Sequence, residues 1–352
     1  MYKKFKILHV LPSRSYSGAE NVAIQIIKGL SDKYEAAYCS QPGPIIDTCK
    51  MYNVQFIPIK SRTPYEIARA SCEWGADLVH AHGCRMAGMS VTAGLKIPVI
   101  FHLHNDPDWI RKINPLSLIH FYVSMRSRKV ISCTSTITEQ DVFNKYLLDK
   151  VITINNVVDS DKIKELSRMG KCNKSYDVAL FGRLNYQKDP LRFLSIIKET
   201  KKYLPNIKVV MIGDGDLKQD CELYIEKNEL KDNVDMCGFM VNPFYILKNT
   251  KVVVSVSKFE GLPMALLEAM SLNKPVIATP VGGNKIIVNN SRGVLCDTDK
   301  EFIHKIIEIL TNERYYDTLS EGVKDYVDKN LSIRSYLDKV NNVYMQCFND
   351  TN

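Results

Sequence analysis

The sequence predicts an α/β protein built from two Rossmann-like, doubly wound domains that face a central cleft. Three observations carry that prediction. Short apolar runs alternate with amphipathic segments along the whole chain, the pattern of βαβ units on a parallel sheet. The pattern breaks at a polar stretch, residues 167–175 (SRMGKCNKS), and then restarts. A chain of 352 residues is too long for one small domain, so two of ordinary size are expected. The domains are placed at 1–170 and 176–330.

Taken in order, the first half gives strands at 5–12, 35–40, 54–59, 77–83, 98–104, 129–135 and 151–158. Amphipathic segments fall between them near 19–31, 44–52, 64–74, 86–95, 115–127 and 137–147. In such a sheet ligands gather at the carboxyl ends of the strands. Polar and glycine residues sit there: Ser15-Tyr16-Ser17-Gly18 after the first strand, His80 to Gly83 after the fourth, His102 to Asn105 after the fifth. The second half gives strands at 177–183, 208–214, 234–239, 251–257, 275–280 and 293–297, with helices near 190–203, 217–228, 242–248, 264–272 and 300–310. The tail, about 313–348, reads as two or three helical pieces.

Composition narrows the class. Hydrophobic residues at 45% and charged residues at 24% are those of a folded, soluble chain. No apolar run reaches the length of a membrane span, and the opening MYKKFKILHVLPSRSYSG reads as a first strand, not a signal peptide. The ten cysteines include no C-x-x-C pair, so neither a zinc site nor a disulfide framework is expected, and the chain is read as cytoplasmic and reduced. Of the net charge of +8, residues 1–168 carry +7 and residues 169–352 carry +1. A basic first half suits an anionic partner, a membrane surface or a phosphorylated acceptor, and equally serves plain solubility.

The chemistry concentrates in residues 254–284 (VSVSKFEGLPMALLEAMSLNKPVIATPVGGN). The stretch reads as strand, sharp turn through Glu260-Gly261-Leu262-Pro263, helix from about Met264, second strand, and the pair Gly282-Gly283. Pro263 suits a first helical turn, and free N–H groups at that helix start favour an anion. Glu260 and Glu268 flank this cradle; a bare phosphate has no need of flanking acids, but a bound sugar nucleotide has hydroxyls from which carboxylates can accept. After the first strand of the second half, Arg183 and Lys188 can reach a phosphate, one as a fork and one as a point charge, or can be solvated surface charges. Gly213-Asp214-Gly215-Asp216 is a tight turn after the next strand.

G-R-L-x-x-Q-K (Gly182 to Lys188), the I-G-D-G turn, the C-G-F strand end and F-E-G-L-P-M-A-L-L-E-A-M…P-V-I-A-T-P-V-G-G together resemble family-four glycosyltransferases, retaining nucleotide-sugar enzymes of the GT-B fold. Weaker matches in the first half are Ser17-Gly18-Ala19-Glu20 and Asn155-Asn156-Val157-Val158-Asp159. The resemblance implies an acceptor-binding first domain and a donor-binding second domain, with the last helix, about 334–352, packing back on the first. It implies that Arg183 and Lys188 bind the donor diphosphate near Gly182 and Gly213, and that Glu268 takes the ribose hydroxyls. Glu260 would contact the transferred sugar, helped by backbone amides of Gly261, Leu262, Pro263 and Met264. Gly238, Phe239 and Met240 would line the base pocket, Gly18 would let its loop approach the diphosphate, and His104 would sit near the anomeric centre. Two departures, a single glycine at Ser17-Gly18 and Asn155-Asn156 in place of Asn-Gly, bear on loop shape. The family is generally thought to use front-face displacement, in which the leaving phosphate helps deprotonate the attacking hydroxyl.

The implied activity is retaining hexosyl transfer from a nucleotide diphosphate sugar, with UDP expected from its frequency among relatives. The acceptor would be a glycan or lipid-linked hydroxyl in cell-surface polysaccharide or glycolipid synthesis. Alternatives are a nucleotide-sugar epimerase of the same fold and a non-catalytic partner subunit. Asp106-Pro107-Asp108, Asp159-Ser160-Asp161 and Asp214-Gly215-Asp216 spell the metal–diphosphate motif of a different fold, but a turn role is expected, with no metal or cofactor required. His80, His82, His102 and His104 pair on strand faces, which zinc could use. No cysteine or acid completes a set, and polar strand-end residues at a substrate cleft are the expectation. Residues 111–129 (RKINPLSLIHFYVSMRSRK) fit either a membrane interface, at the inner face of the plasma membrane, or an ordinary sheet-covering helix. No nucleic-acid partner is expected.

Overall fold

A computed structural model describes residues 4–15, 18–104 and 107–349. It divides into two compact units, Met1–Asn156 with Arg334–Asn352, and Val157–Ile333. Both are α/β with fully parallel sheets.

The first unit runs β1 (Lys6–Val10), α1 (Gly18–Gly29), β2 (Glu35–Ser40), α2 (Ile45–Met51), β3 (Gln55–Pro58), α3 (Pro64–Trp74), β4 (Leu78–His82), α4 (Cys84–Val91), β5 (Val99–Leu103), α5 (Pro115–Arg126), β6 (Lys129–Ser132), α6 (Ser135–Gln140) and β7 (Val151–Thr153). Its strands lie in the order β3-β2-β1-β4-β5-β6-β7. Strand β1 is central, and the order reverses between it and β4, so the carboxyl ends of β1 and β4 form the switch point where such sheets bind ligands. Strands covered on both faces read as near-continuous apolar runs, and Ile7, Leu8, Val10, Leu78, Val79 and Phe101 are wholly buried. Local chemistry sets the helix ends. Thr63 caps α3 through the Glu66 N–H, Pro64 opens it, and Gly75 at φ +72° closes it. Asn114 caps α5 in a capping box with Ser117.

The helix expected over 137–147 is cut short. Asp141 accepts the Phe143 N–H through Oδ1 at 2.9 Å and contacts His120 Nε2 through Oδ2 at 3.0 Å. A carboxylate bonding its own backbone two residues on competes with the helical ladder. Short 3₁₀ turns at Asp108–Arg111 and Asn144–Tyr146 fill the connections.

The second unit runs α7 (Ser160–Leu166), β8 (Tyr176–Phe181), α8 (Pro190–Lys201), β9 (Val209–Ile212), α9 (Lys218–Lys227), β10 (Val234–Gly238), α10 (Phe244–Leu247), β11 (Thr250–Ser255), α11 (Met264–Ser271), β12 (Val276–Ala278), α12 (Asn284–Ile287), β13 (Gly293–Leu295), α13 (Asp299–Thr311) and α14 (Glu313–Asn330). The strand order is β10-β9-β8-β11-β12-β13. One apolar core, including Val178, Leu180, Phe193, Val252, Val254 and Phe302, fills its interior. The chain leaves the first unit at Asn156, ahead of the polar 167–175 stretch. The reason is α7, which packs on α10 and α11. Ser160 meets Ser271 at 3.0 Å, and the Asn242 amide donates to the Leu166 carbonyl at 2.9 Å.

The last helix, α15 (Ile333–Asn349), packs on the first unit. Phe348 stacks on Phe5 at 4.1 Å between centroids, and the Tyr34 hydroxyl donates to Asn341 Oδ1 at 2.9 Å. Among the described residues no helix is long and apolar enough to cross a membrane.

Gly322, inside α14, gives a test of this packing. Alanine at an exposed helix position normally stabilises by about 1 kcal/mol relative to glycine. Here a Cβ would stand 1.7 Å from the Ser291 carbonyl oxygen. Gly322→Ala is therefore expected to destabilise, by about 1–3 kcal/mol of overpacking strain; urea unfolding gives the sign.

Candidate functional site

In the second unit the candidate residues gather at the carboxyl ends of four adjacent strands, β10, β9, β8 and β11. The Gly182 N–H donates to the Ile212 carbonyl at 3.0 Å, and the Gly213 N–H to the Gly238 carbonyl at 2.8 Å. Gly213 has φ +145°, and a Cβ there would lie 1.8 Å from the Gly182 oxygen. Only glycine allows the ends of β8 and β9 to meet this closely, and it leaves the strand ends bare. Phe239 and Met240 follow β10, with Phe239 exposed and Met240 half-buried.

The loop from β8 into α8 presents the cations. Arg183 is exposed at the strand end. Asn185 closes a turn by accepting the Lys188 N–H on its side-chain oxygen at 3.1 Å and on its carbonyl at 3.2 Å. The Lys188 stem packs beside Gly182, where a Cβ would be 3.5 Å from Lys188 Cε. Asp189, at φ +50°, turns the chain into Pro190 at the start of α8.

The Lys188 ammonium reaches across to the loop after β11 and donates to Glu260 Oε1 at 2.5 Å. The Lys188 side chain is 18% exposed and that of Glu260 only 6%. Gln187 lies alongside, its amide donating to the Phe259 carbonyl at 2.9 Å and contacting Glu260 Oε2 at 3.5 Å. From the other side the Gly283 N–H donates to the Gly261 carbonyl at 2.7 Å. A Cβ on Gly282 would lie 1.8 Å from the Glu260 oxygen, and one on Gly283 would lie 2.1 Å from the Gly261 oxygen. The glycine pair thus lets a third loop brace the backbone that carries Glu260. Pro263 is the N-cap of α11, one residue earlier than a first-turn position, and no side chain caps this helix start. Leu262, Pro263 and Met264 are buried, and Glu268 is buried as the fifth residue of α11.

Two acidic triplets serve turns. Asp214 Oδ1 accepts the Gly215 N–H at 2.8 Å, and Asp159 caps α7 through the Lys162 N–H at 3.0 Å. Asp106 of the third lies outside the described residues, as do Asn105, Tyr16 and Ser17.

In the first unit Gly18 is the exposed first residue of α1. The histidines depart from the strand-end expectation. His80, His82 and His102 are buried along β4 and β5, and His104, just past β5, is half-buried. They share one sheet face with His9 of β1, which lies in register with His80. Sequence reading passed over His9, because only the strand order brings β1 beside β4. The rings stack, His80 on His82 at 4.4 Å and His102 on His104 at 4.1 Å. Two groups, His9-His80-His82 and His82-His102-His104, have nitrogens within 4.8 Å of one another, as a transition-metal site would. In the structure those nitrogens bond one another instead, His9 Nδ1 to His82 Nε2 at 3.0 Å and His82 Nδ1 to His104 Nε2 at 2.8 Å. Burial lowers the pKa of His9 and of His104 to about 3, and that of His80, His82 and His102 well below the ordinary value. The imidazoles are neutral.

Two family models match the chain: one described as Glycosyltransferase Family 4 over residues 16–162, and one described as Glycosyl transferases group 1 over residues 161–326. An uncharacterized glycosyltransferase of Methanocaldococcus jannaschii is 29% identical over 290 residues, 72% of this chain and 71% of that protein. The UDP-Gal:alpha-D-GlcNAc-diphosphoundecaprenol alpha-1,3-galactosyltransferase of Escherichia coli is 23% identical over 381 residues, 98% of this chain and 97% of that protein. Among solved structures, Anabaena Alr3699/HepE in complex with UDP-glucose has the same fold, with a TM-score of 0.84 at 17% identity, covering 97% of this chain and 99% of that one.

The buried imidazoles generate a pH prediction. Their folded pKa values lie below the ordinary 6.5, so between about 6.5 and about 3 the unfolded chain binds protons that the folded chain refuses. The stability they permit is complete above 6.5 and is lost as pH falls through this window, at about 1.4 kcal/mol per pH unit for each such group. Urea midpoints at pH 7.5 and 5.5 are expected to show a marked drop, and equal midpoints would contradict it.

Proposed function

We propose, for a chain that belongs to the family-four glycosyltransferases of GT-B fold, that it moves a hexosyl unit from a UDP-sugar to an acceptor hydroxyl with retention at the anomeric carbon. It acts on nucleotide sugars in polysaccharide or glycolipid synthesis. The UDP reading is supported by the donor in the name of the Escherichia coli relative and by the UDP-glucose bound to the Anabaena neighbour. The proposed acceptor is a glycan or lipid-linked hydroxyl, as that relative's name suggests by analogy.

The observation that carries this reading is the Lys188–Glu260 pair beside the bare glycine strand ends. A half-buried ammonium already held by a buried carboxylate is oriented at little further entropic cost when a diphosphate arrives beside it. Arg183 supplies the second, more exposed cation. Glu260 accepts from hydroxyls of the transferred sugar, with the backbone of Gly261 to Met264 as donors. Glu268 accepts from the ribose, and Gly238, Phe239 and Met240 flank the base. With one oxygen bound by Lys188 and the other near Gln187, Glu260 is a poor covalent nucleophile, which weighs against a double displacement through paired carboxylates.

The proposed reaction is a front-face displacement. The bond from C1 to the diphosphate oxygen breaks, the acceptor oxygen joins C1 on the same face, and the departing phosphate oxygen takes the hydroxyl proton. Charge builds on the diphosphate, where Lys188 and Arg183 are worth most. We propose that these side chains supply the positive charge and that no metal is required. His104 contacts the sugar or the attacking hydroxyl. Lys188→Ala is expected to lower kcat by about 10²–10³-fold, the scale of losing one electrostatic donor. Transfer assays with UDP-hexoses measure it. An unchanged kcat, an inverted product by proton NMR, or rescue of chelated enzyme by Mg²⁺ would each break part of the reading.

We further propose that the protein is cytoplasmic and rests peripherally on an anionic membrane through α5. Leu116, Leu118, Ile119, Tyr122 and Met125 are exposed across the solvent-facing half of that helix, with Lys112 and Arg126 near its ends. Apolar side chains with flanking cations suit an anionic lipid interface. Ile119→Ser with Tyr122→Ser should cut co-sedimentation with phosphatidylglycerol-containing vesicles at least tenfold, since each buried apolar side chain contributes about 1.5–3 kcal/mol. Equal sedimentation of variant and parent would remove this surface from the reading.

A further inference from the structure

The histidine face of the first unit is joined by hydrogen bonds into a single line. His104 Nε2 meets His82 Nδ1 at 2.8 Å, and His82 Nε2 meets His9 Nδ1 at 3.0 Å. His9 Nε2 meets the Tyr344 hydroxyl of α15 at 3.4 Å, the longest of the links. The same hydroxyl meets His80 Nδ1 at 2.8 Å, and His80 Nε2 meets His102 Nδ1 at 3.1 Å. Two nitrogens end the line, His104 Nδ1 and His102 Nε2, both buried atoms with no hydrogen-bond partner among the described residues.

A neutral imidazole has one N–H and one bare nitrogen, so each link needs a donor on one side and an acceptor on the other. Fixing the tautomer of one ring therefore fixes that of the next. Tyr344, whose phenol burial keeps protonated, has one hydrogen to give. It must donate to one neighbour and accept from the other, because a buried hydroxyl hydrogen left without an acceptor costs about 1–3 kcal/mol. Two arrangements satisfy every link. In one, all five rings carry the hydrogen on Nε2, leaving His104 Nδ1 a bare acceptor and His102 Nε2 a donor. In the other, all five carry it on Nδ1 and both ends reverse.

We propose that His9, His80, His82, His102 and His104, bridged by Tyr344, form a tautomer-ordered relay in which all five rings hold the same tautomer and Tyr344 sets the hydrogen-bonding sense of His104. Converting one arrangement to the other moves a hydrogen across each of the links, while one proton enters at one end of the line and one leaves at the other. Both end nitrogens are buried in this structure, so conversion is blocked and the relay acts as a fixed polariser, not a proton pump. The all-Nε2 form gives His104 the bare nitrogen that accepts from a hydroxyl. This last consequence rests on the proposed contact of His104 with the sugar or the attacking hydroxyl. Tyr344 and the four histidines other than His104 are positioning residues.

The test is nitrogen NMR on protein labelled with ¹⁵N-histidine, without substrate, at pH 7.5. The wild-type protein is expected to show one tautomer for all five rings, with His120 and His304 assigned by substitution. Tyr344→Phe keeps the ring and removes the link, and is expected to abolish that uniformity. Mixed tautomers in the wild-type protein, an imidazolium among the five, or a stoichiometric metal ion in the purified protein would overturn the relay. If Tyr344→Phe fails to fold, the wild-type spectrum decides alone. In transfer assays Tyr344→Phe should lower kcat about tenfold and leave donor KM unchanged. Uniform tautomers with an unchanged kcat would leave the relay standing and remove His104 from the reaction.

Discussion

The candidate donor site depends on backbone being allowed within contact distance of backbone. At β8 and β9, and again at the loop carrying Glu260, glycine stands where any Cβ would fall within 2 Å of a carbonyl oxygen. Those contacts bring together the loops after β8 and β9 and those after β11 and β12, and the Lys188–Glu260 pair joins the two sets. A buried ion pair adds little net stability, because desolvation offsets most of its attraction. Its worth lies in geometry: the ammonium and carboxylate hold each other in fixed positions beside the glycine strand ends.

Buried polarity is handled in two ways. In the second unit, the buried Glu260 is balanced by Lys188, as Glu66 of the first is by Arg69. In the first, five imidazoles and a phenol stay neutral, and each satisfies its neighbour. Neutral hydrogen bonds in a dry interior avoid the penalty of an ion but require every donor to find an acceptor. The whole set is therefore more constrained than any one of its members.

Much of the fold was legible because parallel strands buried on both faces must be apolar runs, and the helices between them carry a polar face. Strands β1, β2 and β4 and helices α3, α8 and α13 fall within a residue or two of their sequence positions. What escaped was decided by side chains or by distant contacts. The shortened α6 follows from Asp141 turning on its own backbone. Helix α7 was not legible, because it is one turn or two long and is held by α10 and α11. Glu260, Lys188 and the glycines stand out in the sequence because their local motifs are dense, and the structure brings them together. The burial of the histidines was not legible, because H-x-H says that two rings share a face but not whether that face is covered.

Helix α15 carries a consequence for synthesis on the ribosome. The Tyr344 hydroxyl that joins His9 to His80 is 335 and 264 residues away from them in the chain. Every strand of the first unit, and all of the second, is made before that helix exists. Until then the imidazole face lacks its cover, and contacts of such long sequence separation are slow to form. The nascent first sheet thus waits, its aromatic ring stack open to water and to holdase chaperones, for the last helix to close it.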